Sequence, residues 1–327
     1  MHHDIVVVKL GESSLGKSKD LKNTLPKIID FLSHLQKQNK QIILLASALS
    51  GHSRKIKKIV ENLSPNHQND YNNVFCHAEF FSCNLIETYI NQSQLKSKAL
   101  IFEQTPIHLQ KNNNEWEIDT INQNLISQCL TKNIIPIIPG FIGHSKQCGY
   151  QAMSFDCSDV SAVHLAHLYN AEQCIFLKNP GPLYICNPKM VKEAKIISNL
   201  DYEQLKLFSK NTSPVIHEKA IQYAQDHQIK LFLTSPVKKN LTTEIHTNLS
   251  NNQSLIGILY QQQINGLYKI IVVGNPNNKP KETFKVLQKN TNLSHIKFIF
   301  HKHSTEIHDL TKSDLKQHLN FLYQQLS

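Results

Sequence analysis

The chain has 327 residues, of which 40% are apolar and 18% charged, with a formal net charge of +10. That balance is ordinary for a globular protein, and the length suits one large domain with a small one, or two medium ones. It excludes a membrane-spanning chain, because no apolar run reaches the roughly 18 residues a span needs, and it argues against a nucleic-acid binder, because the lysines are scattered and Arg54–Lys58 is the one tight cluster.

"DIVVVKL" (residues 4–10) is short, apolar and β-branched, and predicts a buried strand. Residues 25–40 predict an amphipathic helix with Ile28, Ile29, Leu32 and Leu35 on one stripe and Pro26 in its first turn. "QIILLASA" (41–48) predicts a second buried strand. Helices follow from about Arg54 and over 78–91. Residues 98–103 and 107–110 read as strands and 114–119 as a returning one, with Asn112 to Asn114 at a hairpin tip. A helix over 120–133 leads to "IIPIIPGFIG" (134–143), a strand ending in a glycine-rich turn. Helix 158–171, strand 172–180, helix 219–228 and strand 229–235 continue the alternation.

Strands alternating with helices of this length predict a mainly parallel sheet covered on both faces. Such sheets bind ligands in the loops at the carboxyl ends of their strands, here the loops after Lys9, Ala46, Pro139 and Leu177. From about residue 245 the texture changes. A polar, linker-like stretch precedes two strands over 255–274 with a turn near Asn265 and Gly266, then a helix over 280–290, a strand over 295–303 and a closing helix over 311–326. This predicts a small second domain, with boundaries at 1–245 and 252–327.

Residues 11–18 read G-x-x-x-x-G-K-S, the letters of a P-loop, in which a helix starting at the lysine brings amides and ammonium to phosphate together. Three features oppose that reading. Pro26 stands where the P-loop helix should run on, no apolar strand ends in an aspartate able to hold Mg²⁺, and no Asp-x-x-Gly switch is present. Thr311 to Asp314 has the letters of a guanine-reading motif without a buried strand before it. The 18 histidines lack metal-ligand spacing, and His144, Cys148 and Cys157 are too loose a group for a site. Seven cysteines without a spaced framework fit reduced thiols, and the short apolar run at the N-terminus does not fit a signal peptide, so the expected location is the cytoplasm.

A longer series of blocks accounts for more of the chain. "VVVKLGESSLG" resembles the K-F-G-G-T-S-[VL]-G opening of aspartate kinases, in the amino-acid kinase family. "LLASALSGHS" (44–53) looks like their V-S-A-M-S-G-V-T, "HAEFFSCNLI" (77–86) like G-E-x-x-S-A, and "IIPIIPGFIG" like I-P-V-I-x-G-F-x-G. "SFDCSDVSA" (154–162) falls on G-R-G-G-S-D-x-[ST]-A. "LKNPGPLYICNPKMVKEAKII" matches their T-D-V-x-G-[IV]-Y block with one residue inserted, and "SPVIHEKAI" (213–221) falls on the A-K-V-[LI]-H block. The tail is similar to one ACT domain.

The resemblance implies a three-layer αβα domain with a mainly parallel sheet plus a small α+β ACT-like domain. It implies transfer of a phosphoryl group from ATP, with Mg²⁺, to the β-carboxylate of L-aspartate, and a homodimer paired through the ACT-like domain. By the same resemblance Lys9 contacts the transferring phosphoryl group, and Asp159 orients Lys9 or the substrate amine. Ser47, Ser53 and Ser158 hold substrate, and Glu79 takes its ammonium. Gly11 and Gly51 let amides approach phosphate, and Tyr184 stands beside adenine or ribose. The departures fall mostly on the nucleotide side. Phe155 replaces a substrate-gripping arginine, Glu12 a glycine of the phosphate loop, Asp156 and Cys157 two glycines, and Pro214 a lysine. Leu177 and Lys178 replace a Thr-Asp pair, with Lys178 restoring positive charge, and Lys189 keeps the charge of an arginine without its fork. Three functions are thus carried forward: an aspartate kinase with relaxed motifs, a non-catalytic relative that binds an amino acid or regulates a partner, and a P-loop nucleotide hydrolase.

Overall fold

The computed structural model describes residues 4–63, 71–153, 157–179, 181–210, 215–237, 241–247, 255–274, 298–300 and 304–326. The chain divides into two compact units, one built from residues 1–181 and 222–242, the other from 182–221 and 243–327.

In the first unit the chain runs through β1 (Ile5–Leu10), the four-residue helix α1 (Glu12–Leu15), α2 (Leu21–Lys37), β2 (Gln41–Ala46), α3 (His52–Leu63) and α4 (Tyr71–Ile90). It continues with β3 (Ser97–Ala99), β4 (Ile107–Asn112), β5 (Glu115–Ile121), α5 (Gln123–Thr131), β6 (Ile135–Pro139), β7 (Ile142–Ser145), β8 (Gly149–Ala152), α6 (Ser158–Leu168) and β9 (Gln173–Leu177). A further strand, Leu231–Thr234, follows later in the chain. The sheet orders these as Leu231–Thr234, β9, β1, β2, β6, β3, with every neighbouring pair parallel. Val6, Val7 and Val8 are consecutive and wholly buried. Side chains alternate between faces along a strand, so both faces of the sheet are covered. This is the expected α/β layering.

The order of strands locates the site. From β1 the chain fills one side of the sheet with β2, β6 and β3, then returns to the other side with β9. The crevice at such a reversal, outside the carboxyl ends of the strands, is where α/β sheets take ligands. Lys9 lies there, in register with Leu45 on β2 and Phe176 on β9.

Several expectations shift. Helix α2 starts at Leu21, four residues before the expected start at residue 25, and holds Pro26 inside it. The ring faces solvent, and the buried stripe of Leu25, Ile28, Phe31, Leu32 and Leu35 offsets one lost backbone bond. Helix α4 begins at Tyr71 rather than 78. Residues 100–103 do not continue β3, because Phe102 adopts φ 50° and opens a 3₁₀ turn. The hairpin β4–β5 turns at Asn113 and Asn114, both with positive φ, the signature of a tight two-residue turn. After the glycine that follows β6, β7 and β8 join that hairpin in a small second sheet of order β5, β4, β7, β8.

In the second unit, strands Leu255–Gln262, Tyr268–Gly274, Ser304–Leu310 and Phe298–Phe300 form an antiparallel sheet in that order. Ile258, Ile270, Val272 and Ile307 pack with Leu315, Leu319 and Leu322 of the closing helix Lys312–Leu326. Strand Ser304–Leu310 was not expected, since "STEIHDL" shows only two strong apolar positions. The helix expected over 280–290 lies outside the described residues. Thr311 and Asp314 cap the closing helix: the Thr311 amide donates to Asp314 Oδ2 at 3.2 Å and the Asp314 amide to Thr311 Oγ1 at 3.3 Å. The letters of a guanine motif are here a capping box. Among the described residues no helix is long and apolar enough to cross a membrane. Thr311→Ala should therefore cost about 0.5–2 kcal/mol of unfolding free energy in urea titrations; an unchanged midpoint would show that the cap does not hold this helix.

Candidate active site

Lys9 is 5% exposed, near the end of a buried strand. A buried ammonium needs a partner, and Asp159 Oδ1 stands 2.7 Å from Lys9 Nζ. Asp159 is the second residue of α6, where the positive end of the helix dipole favours a carboxylate. Ser158, just before it, accepts a hydrogen bond from the Ser47 hydroxyl at 3.2 Å. The Ser47 amide donates to the Leu10 carbonyl at 2.9 Å, which fixes the loop after β2 to the end of β1.

Glu79 of α4 has no exposed surface. Its Oε1 accepts the Ala48 amide at 2.6 Å and its Oε2 the Gly140 amide at 3.0 Å. Ser82, on the same helix face, accepts the Leu49 amide at 3.1 Å. One face of α4 thus anchors the loops that leave β2 and β6. Gly140 has no room for a side chain, since a β-carbon there would stand 2.6 Å from Cβ of Ser158. Burial lifts the Glu79 carboxyl to about 7 and nearby Glu12 adds to the rise, while the two amides and Lys9 pull the other way.

These groups enclose a cavity of about 180 Å³. Of the residues singled out from sequence, Lys9, Gly11, Ser47, Ser53, Glu79, Ser158 and Lys178 line it, and Asp159 grips Lys9. Gly51 contacts the lining through its amide, which donates to Glu12 Oε2 at 3.4 Å. Tyr184 and Lys189 belong to the second unit, where Tyr184 bridges to Ile196 and Lys189 is exposed. The Ser53 hydroxyl is buried and makes no hydrogen bond among the described residues, a donor left for a ligand. Phe155, Asp156 and Pro214 lie outside the described residues. Ser13, Phe141 and Glu12 also line the cavity. Sequence reading did not single out Ser13, Phe141 or Ser82, although the E-x-x-S spacing of Glu79 and Ser82 was visible as one helix face.

The P-loop reading fails on geometry. Gly16, at φ 74° and ψ −164°, ends α1 rather than starting a helix. Lys17 is exposed and extended, with its amide bonded to Asp20 Oδ2, and it is followed by a single 3₁₀ turn, Ser18–Asp20, that leads into α2 at Leu21. Pro26 was not the obstacle, since α2 runs through it. Among the described residues no three metal-type side chains gather.

The model of the amino acid kinase family matches residues 4–235. The chain belongs to that family. Its relatives include the aspartokinases of Rickettsia bellii (strain RML369-C), 22% identical over 71% of this chain and 57% of that protein, and of Geobacillus stearothermophilus, 23% identical over 83% and 65%. The chain thus spans somewhat more than half of the curated relatives it matches. Among solved structures, E. coli aspartokinase III in complex with aspartate and ADP superimposes with a TM-score of 0.71 at 14% identity, covering 99% of this chain and 100% of that one. Clostridium acetobutylicum aspartate kinase gives 0.69 at 16%, covering 99% of each. At such identities the likeness establishes the fold, an amino-acid-kinase domain with a smaller antiparallel sheet toward the C-terminus.

The raised Glu79 carboxyl has a consequence for stability. A group whose folded value exceeds its unfolded one contributes fully below the unfolded value, 4.5, and loses that contribution as pH rises through about 7. Glu79→Gln cannot ionise. The difference in unfolding free energy between wild type and Glu79→Gln should therefore shrink as pH rises across that window; a difference independent of pH in urea titrations would refute burial as the cause.

Proposed function

We propose that the chain is an aspartate kinase, carrying phosphate from ATP to the β-carboxylate of L-aspartate. The observation that carries this reading is the buried Lys9–Asp159 pair at the carboxyl end of β1, facing the same cavity as Glu79. A β-carboxylate oxygen attacks the γ-phosphorus, the bond to the bridging oxygen of the β-phosphate breaks, and ADP leaves with that electron pair. A carboxylate is already nucleophilic, so the protein needs no general base. Its task is positioning and charge neutralisation. Lys9 Nζ, held by Asp159, meets the developing charge on the transferring group. Ser47, Ser53 and Ser158 offer hydroxyls, and Lys178 adds positive charge to the lining. Glu79, anionic above about pH 7, attracts the substrate ammonium.

The cavity is smaller than the roughly 300–1,000 Å³ of sites for drug-sized ligands. It suits an amino acid with a terminal phosphate. The described residues form no cage for Mg²⁺; the ion would arrive on the phosphates and neutralise charge there. Pairing of two chains through the C-terminal sheet belongs to the same reading, and light scattering should give twice the 37.4 kDa chain mass.

Purified protein with MgATP, L-aspartate and hydroxylamine should yield aspartyl hydroxamate. Lys9→Met should lower kcat by about 10²–10³-fold, while Lys17→Ala should leave it unchanged. No hydroxamate above the Lys9→Met background, together with thermal stabilisation by aspartate alone, would select the non-catalytic amino-acid-binding reading, which the carboxylate of Glu12 inside the cavity favours.

A further inference from the structure

Glu12 is separated from β1 by Gly11 alone and opens α1, and it lines the same cavity as Lys9. Its Oε2 accepts the Gly51 amide at 3.4 Å and lies 3.6 Å from Arg54 Nη2. Gly51 immediately precedes the twelve-residue helix α3, and Arg54 is in its first turn. A backbone amide at a helix start together with a guanidinium is what an anionic oxygen seeks. Here the chain's own carboxylate takes both. Beyond its own chain neighbours, nothing stands within 4 Å of where a β-carbon on Gly51 would lie, so there is open space on that side of the turn. The buried Ser53 hydroxyl, in the same first turn of α3, points to the same need for an acceptor. Among charged lining side chains, Lys9 and Lys178 stand against Glu12 and Glu79, two cations against two anions.

We propose that Glu12 is an internal stand-in for phosphate: its carboxylate occupies the anion-binding groups at the start of α3, and a polyphosphate enters only by expelling it. The inference rests on the reading of this cavity as a phosphoryl-transfer site, and it names the residue that sets nucleotide affinity there. Expulsion is feasible because the ion pair is weak. Arg54 is 77% exposed and Glu12 37% exposed at the side chain, and such surface pairs contribute little. When the carboxylate swings into water, the Gly51 amide, Ser53 and Arg54 pass to the incoming phosphate oxygens. No covalent step is involved.

The test uses the full chain with Glu12→Gln, which keeps the shape and removes the charge, and Glu12→Gly, which removes the whole side chain. Calorimetric titrations with MgATP, inorganic tripolyphosphate and uncharged adenosine separate charge from fit. Both variants should bind MgATP and tripolyphosphate about fivefold to tenfold more tightly than wild type, with adenosine unchanged. Equal affinities for MgATP in all three proteins would overturn the inference and leave the kinase reading standing. Tighter tripolyphosphate with no nucleotide binding would uphold Glu12 as an internal anion and sink the nucleotide reading. No binding of either polyanion to any of the three proteins at about 10 mM would overturn the inference as well.

Discussion

A carboxylate with no contact with water is among the most costly groups a fold can hold, and Glu79 is one. It is tolerated because two backbone amides from separate loops donate to its two oxygens. That arrangement works in both directions. The Gly140 amide is shared between Glu79 and the Ala46 carbonyl, at 3.0 Å from each, while the Ala48 amide donates to Glu79 and would be buried and unsatisfied without it. The carboxylate therefore sets where Ser47 and Gly140 stand relative to α4. Gly140 in turn lies so close to Ser158 that no side chain fits between. The cavity's walls are in this sense consequences of one buried charge.

Lys9 and Asp159 add the complementary element. A parallel strand ending at a sheet reversal delivers a side chain to the crevice regardless of its identity. Placing an ammonium there requires an anion nearby, and α6 supplies it from its first turn, where the helix dipole already favours negative charge. The pair is thus preorganised by β1 and α6 rather than by mobile loops, and charge neutralisation in phosphoryl transfer depends on such fixed placement. Lys17 has no such support. It sits beyond a glycine that terminates a helix, exposed, with its backbone engaged by Asp20. The same three letters, glycine, lysine and serine, have opposite meanings depending on whether a helix begins or ends at the glycine.

This contrast shows what was legible. The parallel sheet, the position of Lys9 and the assembly of Ser47, Ser53, Glu79, Ser158 and Asp159 could be read from sequence because apolar periodicity and block order fix which loops meet at one end of a sheet. Helix ends could not be read as well. Pro26 looked like a first-turn residue, yet the buried stripe around it was strong enough to extend α2 on both sides. Strand Ser304–Leu310 was hidden because its partners, not its own side chains, make it a strand. The double role of Glu79 was also invisible. Sequence resemblance offers it as a ligand for substrate, but nothing local announces that its oxygens receive the amides of Ala48 and Gly140.

Charge balance reconciles family membership with the substituted loop. Two cations and two anions line the cavity, and Asp159 partly neutralises Lys9. Such a set matches a zwitterion with an extra carboxylate far better than it matches a polyphosphate, because each pole of an amino acid finds an opposite charge while a polyanion meets Glu12 at the start of α3. Under the proposed reading, the amino-acid half of the site is complete in the free chain and the phosphate half is self-occupied. Substrate ammonium near Glu79 would hold that carboxyl ionised and so bring its oxygens fully onto the Ala48 and Gly140 amides. Binding of the amino acid would then stiffen the same loops that border Gly51, and the energetic cost of expelling Glu12 would be met by phosphate contacts made against an already ordered wall.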